Sequence, residues 1–189
     1  MFSAKTTTCD SYTVNSHIKI SITGNDPSCI AAGTLITLAD GTQKAVEDLV
    51  VGDMIMVFNH ITGMYEAAPL IFNSHATEIE AKEYKILNLK FANGKDLKIV
   101  ASHGLFDMTL NKYVYVTYDN YQDYIGHDFY ALNNDGISGE SVKLTEAYIH
   151  NEVTRVFCPV TYFHMNSFAN GFLNTPNIPG NITGLVNYF

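Results

Sequence analysis

Tryptophan is absent from this sequence, cysteine occurs only three times, and positive charge is scarce. Eleven Lys+Arg against 19 Asp+Glu leave a net charge of −8. No basic run occurs anywhere, which argues against nucleic acid and anionic membrane surfaces as partners, because both need a positive footprint. No stretch of about 18 apolar residues exists, so no segment reads as a bilayer-spanning helix. The polar residues 1–10 lack the apolar stretch of an export signal, and the sequence assigns no compartment. Cys9, Cys29 and Cys158 are odd in number and widely spaced. That fits neither a disulfide framework nor a zinc pattern, and it leaves at least one thiol free. Neither a metal nor a cofactor is expected.

What is present points to a packed β domain. Of 189 residues, 47% are hydrophobic and 12% aromatic, which excludes a disordered polar tail and suits one good-sized domain. Phe, Tyr, Ile, Val and Thr dominate between frequent glycine turns, a mixture that favours strands. Residues 12–23 (YTVNSHIKISIT) alternate with a phase break near Ser16, and residues 24–28 (GNDPS) read as an exposed joint. Beyond it, short apolar runs recur between turn signals such as Asp40-Gly41 and Asn93-Gly94. Residues 43–51 fit one helical turn or a strand, with Val46, Leu49 and Val50 inward. Residues 141–150 (SVKLTEAYIH) fit a short helix or a strand. Residues 174–189, rich in Asn, Gly and Pro, read as a loosely ordered tail.

Three blocks carry a resemblance. Residues 29–55 read CIAAGTLITLADGTQKAVEDLVVGDMI: a Cys, then Gly-Thr before a strand, Asp-Gly, Val-Glu-Asp-Leu, and Gly-Asp before an apolar pair. Gly33 allows a bend after the cysteine, Asp40-Gly41 closes a hairpin, and Gly52-Asp53 turns the chain into the next strand. Residues 97–107 (LKIVASHGLFD) hold His103, and residues 160–173 (VTYFHMNSFANGFL) end in a Phe-Ala-Asn-Gly hairpin. In this order the blocks resemble a Hint domain of the hedgehog/intein kind. The resemblance implies an all-β, pseudo-twofold fold over residues 29–173, with residues 1–28 as an amino-terminal flank and 174–189 as a carboxy-terminal one.

The resemblance also implies chemistry in cis on the amino-terminal flank. Cys29 attacks the carbonyl of Ser28, the amide becomes a Ser28–Cys29 thioester, and water or an external thiol or amine resolves it. A free thiol with pKa near 8.5 is only a few per cent ionised at pH 7, so the nucleophile needs activation. The departing nitrogen needs a proton, for which a positioned imidazole is suited, and His103 is the candidate. The family's Thr-x-x-His pattern is broken, since Val100 stands three residues before His103; Ser102 or Thr161 is the available substitute hydroxyl. His164 lies near another family histidine. Asn174, followed by Thr175, is the candidate for terminal cyclisation, but no His precedes it, which argues against splicing. Residues 73–75 (Asn-Ser-His) offer no carboxylate where hedgehog-type members use one, which argues against cholesterol transfer.

Blander readings stand beside these. Cys158 in its apolar run reads as core, His75 as a surface polar residue, and Asp53 as a turn residue. Residues 181–183 (Asn-Ile-Thr) match a glycosylation acceptor, relevant only in a secreted chain. Two other functions compete with self-processing: an inert or binding β module of the same fold, and a Cys29/His103 hydrolase acting in trans.

Overall fold

A computed structural model describes residues 4–6, 11–14, 18–21, 28–133, 136 and 138–177. The described residues form mostly strands joined by turns, and their only helical segments are two short 3₁₀ turns, Val46–Asp48 and Tyr121–Tyr124. The expected all-β class is therefore what the chain adopts. Near the amino terminus, Ala4–Thr6, Ser11–Val14 and Ile18–Ser21 pair in order as a small antiparallel sheet. The phase break near Ser16 lies outside the described residues. The joint residues 24–27 and the acceptor motif at 181–183 lie outside the described residues.

The remaining fourteen strands are linked through a continuous series of pairings. Its backbone is the pairing of Lys82–Phe91 with Gly139–Thr154, antiparallel along nearly the whole of the shorter strand. Ile86, Leu87, Asn88 and Leu89 are buried in succession, so both faces of this strand are covered. Residues 141–150 resolve as strand because Val142 and Leu144 are buried two apart, a period of 2 rather than 3.6. The register slips once, between Leu144 and Glu146.

Turn chemistry sets the hairpins. Asp40 Oδ1 accepts from the Thr42 amide at 2.9 Å and its hydroxyl at 2.6 Å. Asn170 and Gly171 both take positive φ, 48° and 86°, which is what a tight two-residue hairpin turn demands. Asn170 also clamps its surroundings: Oδ1 accepts from the Leu35 amide (2.8 Å) and Nδ2 donates to the Asp96 carbonyl (2.8 Å). In residues 43–51, Val46 and Leu49 are inward as expected, but Val50 is exposed. It belongs to the turn into Gly52, where its amide donates to the Asp53 carboxylate at 2.8 Å.

The core gathers Ile30, Ile36, Ile55, Leu87, Leu89, Phe129, Phe157 and Phe172, among others. Phe91 and Phe172 stack with ring centroids 3.8 Å apart, which ties the last strand to the long central pair. That last strand, Phe172–Thr175, runs past Leu173. Asn174 and Thr175, read from sequence as the start of a loose tail, are strand residues instead, paired with Leu105 and Gly104. Their order comes from a partner strand that composition alone does not reveal.

Candidate active site

Three strands distant in sequence converge on the peptide between Ser28 and Cys29. Ile30–Ala31 is inserted between Asp96–Ile99 on one side and Val156–Thr161 on the other. The Val100 amide donates to the Cys29 carbonyl at 2.8 Å, so the chain carrying His103 runs alongside the first residues of the domain. From the other end, the last strand lies against His103–Asp107. The Asn177 amide reaches Ser28 Oγ at 2.9 Å. Ser28, read as the end of an exposed joint, is buried instead, because these two segments close over it.

Cys29 is fully buried, and its sulfur lies 3.9 Å from Ser74 Oγ. The registers Val156–Ala31 and Phe157–Ile30, carried one residue on, set Cys158 opposite Cys29. The two cysteines share one apolar cluster with Ile86, Val100 and Val156. Burial pushes the Cys29 thiol well above its ordinary range, and Cys158, by hydrogen bond and by charge, pushes it further; only the Ser74 hydroxyl pulls it down appreciably. At rest the sulfur is a neutral thiol.

His103 is also fully buried. Its Nδ1 lies 3.3 Å from Ser28 Oγ and its Nε2 lies 3.0 Å from Asn174 Oδ1. Burial lowers its pKa, against upward pulls from Asn174 and from a hydrogen bond to the Ser28 backbone. The imidazole therefore addresses the acyl side of the Ser28–Cys29 bond rather than the thiol. Ser28 Oγ also lies 3.1 Å from the Ser102 carbonyl, so its single hydrogen has two acceptors in reach, that oxygen and His103 Nδ1.

The structure thus brings Ser28, Cys29, His103 and Asn174 together. It places His164 elsewhere, with Nε2 3.1 Å from Glu66 Oε2. Val100 presents its buried side chain to the cysteine cluster. Neither expected substitute hydroxyl takes the threonine's place: Thr161 Oγ1 donates to the Asn166 carbonyl at 3.0 Å, and Ser102 contributes its backbone carbonyl. His75 pairs with Glu78 at 2.7 Å. Sequence reasoning missed Ser74, Ser167 and Asn177 as neighbours of the site; Cys158, read as core, is indeed buried in an apolar cluster, but its place beside Cys29 was not foreseen. The strand register opposite Cys29 is the signal that would have found Cys158. Among the described residues, no cluster of three or more His, Cys, Asp or Glu side chains could hold a metal ion.

No protein-family profile matches the sequence, and no curated protein matches it either. Solved structures do. A DnaB intein from Synechocystis sp. PCC 6803 is 19% identical, with 80% of this chain covering 99% of that one at a TM-score of 0.60. A bacterial intein-like domain from Clostridium thermocellum is 18% identical, with coverages of 77% and 96% and a TM-score of 0.60. A TvoVMA intein is 11% identical, with coverages of 78% and 97% and a TM-score of 0.63. At such identities the likeness is one of fold: this chain has the all-β Hint fold found in inteins.

Proposed function

We propose that this Hint-fold domain processes its own chain at the Ser28–Cys29 bond through an N-to-S acyl shift. The observation that carries the reading is the buried junction itself: a cysteine at the head of the first domain strand, preceded by a serine whose hydroxyl lies 3.3 Å from a buried imidazole. Cys29 Sγ attacks the Ser28 carbonyl carbon through a five-membered ring. The thiol gives up its proton as the C–S bond forms, His103 takes up a proton at its free nitrogen and passes it to the departing nitrogen as the C–N bond breaks, and a Ser28 thioester on Cys29 results with no net change in protons. Water, or an external thiol or amine, then takes the acyl group. No His-Asn pair follows the last hairpin, so cleavage rather than splicing is the outcome we assign.

A hydrolase acting in trans fits poorly, since a fully buried sulfur offers no path to a foreign substrate. The inert module is the serious rival. It is favoured by Val100 in place of the threonine and by a thiol that burial keeps neutral. Hydroxylamine separates the two readings. It converts a thioester to a hydroxamate on Ser28 and frees the Cys29 thiol, so a fragment of residues 1–28 bearing that group supports processing. A chain that stays intact supports the inert module.

A further inference from the structure

Asn174 faces His103 from the side away from Ser28, and its own amide is held in one orientation. Nδ2 donates to the Ser167 carbonyl at 2.9 Å, to Ser167 Oγ at 3.2 Å and toward the Phe172 carbonyl at 3.3 Å. Reversing the amide would set Oδ1 against two carbonyl oxygens, so the oxygen must be the end that meets the imidazole. An oxygen there accepts only, and His103 Nε2, 3.0 Å away, must therefore carry a hydrogen. In a neutral ring the other nitrogen, Nδ1, then holds the lone pair. Nδ1 is the atom that faces Ser28.

We propose that Asn174 is a positioning residue, which fixes His103 as the Nε2–H tautomer so that the exchangeable proton enters and leaves at Nδ1, beside the Ser28–Cys29 bond. The proposal deepens the processing reading and rests on it for its catalytic meaning, although the tautomer itself does not. A ring held in the other tautomer would present an N–H to the junction when neutral and could accept no proton there. Partners that orient a working histidine in this way commonly matter by roughly 10–100-fold where measured in metal sites.

The same contacts weigh against a cyclising role for Asn174. Cyclisation needs Nδ2 to attack the carbonyl carbon of Asn174 itself, breaking the bond to Thr175. That nitrogen is committed to Ser167 and Phe172, and both residues of the bond lie in a paired strand.

Nitrogen-15-labelled histidine in the full chain carrying Cys29→Ala, which keeps the precursor intact, reports the tautomer directly by two-bond proton–nitrogen correlations. His103 is identified by the signal lost in His103→Gln. The expected pattern is Nε2–H with Asn174 present, and a mixture of tautomers in Asn174→Ala. In the cysteine-bearing chain, Asn174→Ala should release the 1–28 fragment roughly 10–100-fold more slowly. Asn174→Asp keeps an acceptor, and should keep the tautomer while moving the His103 titration to higher pH. It carries the test if Asn174→Ala does not fold. A merely structural role would lower the yield of folded protein but leave tautomer and titration unchanged, and that result overturns the proposal. So does a fragment ending at Asn174, which would assign cyclisation instead. If no 1–28 fragment forms while the tautomer follows Asn174 as described, the processing reading falls and the link between these side chains stands.

Discussion

The hydroxyl oxygen of Ser74 lies 3.9 Å from the sulfur of Cys29 and is the neighbour that favours its ionised form. Burial and Cys158 both oppose ionisation, so the thiolate population is small at neutral pH. Release of the 1–28 fragment should therefore keep rising with pH above neutrality, by roughly tenfold per unit while the thiol remains mostly protonated. Ser74→Ala should move the whole profile to higher pH. A rate that levels off below pH 7 in the native chain would contradict this account of the thiol.

His103 has two separable consequences. His103→Ala should slow fragment release by about 10²–10⁴-fold, the usual worth of a positioned acid or base. Comparison of single-exponential release rates at fixed hydroxylamine checks it.

The second consequence is one of stability. Burial depresses the His103 pKa below its ordinary value, so as pH falls below about 6.5 the unfolded chain binds a proton that the folded chain resists. Stability should fall with acidification in that window and be recovered as pH rises through it. His60, depressed by burial and by nearby His164, adds in the same direction. Denaturant unfolding of the Cys29→Ala chain, with and without His103→Gln, should show a shallower pH slope in the variant. Loss confined to lower pH would point instead to carboxylates such as Glu78 and Glu152, whose pKa values are lowered by hydrogen-bonding partners.

Val100→Thr should accelerate release. The side chain sits in the cluster with Cys29 and its backbone already holds the Cys29 carbonyl, so a hydroxyl introduced there lies beside the reacting bond. Burying that hydroxyl without a partner costs on the order of 1–3 kcal/mol, so the variant should also unfold at lower denaturant. An unchanged release rate with a lowered midpoint would show that the hydroxyl has no role here.

Phe172 ties the last strand to the core through its stack on Phe91. Phe172→Ala should destabilise the domain by about 3–5 kcal/mol. Because Asn174 rides on the same strand, fragment release should fall as well, even under conditions where the variant remains folded.

Much of this arrangement was legible in the residues. The Cys29 block, its Asp-Gly and Gly-Asp turns and the Asn170-Gly171 hairpin are local signals, and local backbone chemistry decides them. What escaped was non-local. Ser74 and Cys158 reach Cys29 because their strands pair beside it, and no local pattern states which strands become neighbours. The same holds for Asn174, whose Asn-rich surroundings read as a loose tail until Leu105 and Ser167 are seen to hold it. Val50 failed for a different reason: an apolar residue in a tight turn is free to face solvent at little cost. His164 resembled a site residue by its place in a block, yet Glu66 on a neighbouring strand claims it.

The most direct test of self-processing is the intact mass of the native chain and of Cys29→Ala, each incubated with and without an external thiol. The account predicts that thiol splits the native chain into two pieces divided between Ser28 and Cys29, the smaller bearing the thiol as its ester. Cys29→Ala should stay whole, since no other nucleophile reaches that carbonyl through a five-membered ring. If both chains keep their full mass, or both are cut alike, Cys29 does not activate the bond and the domain is an inert member of its fold.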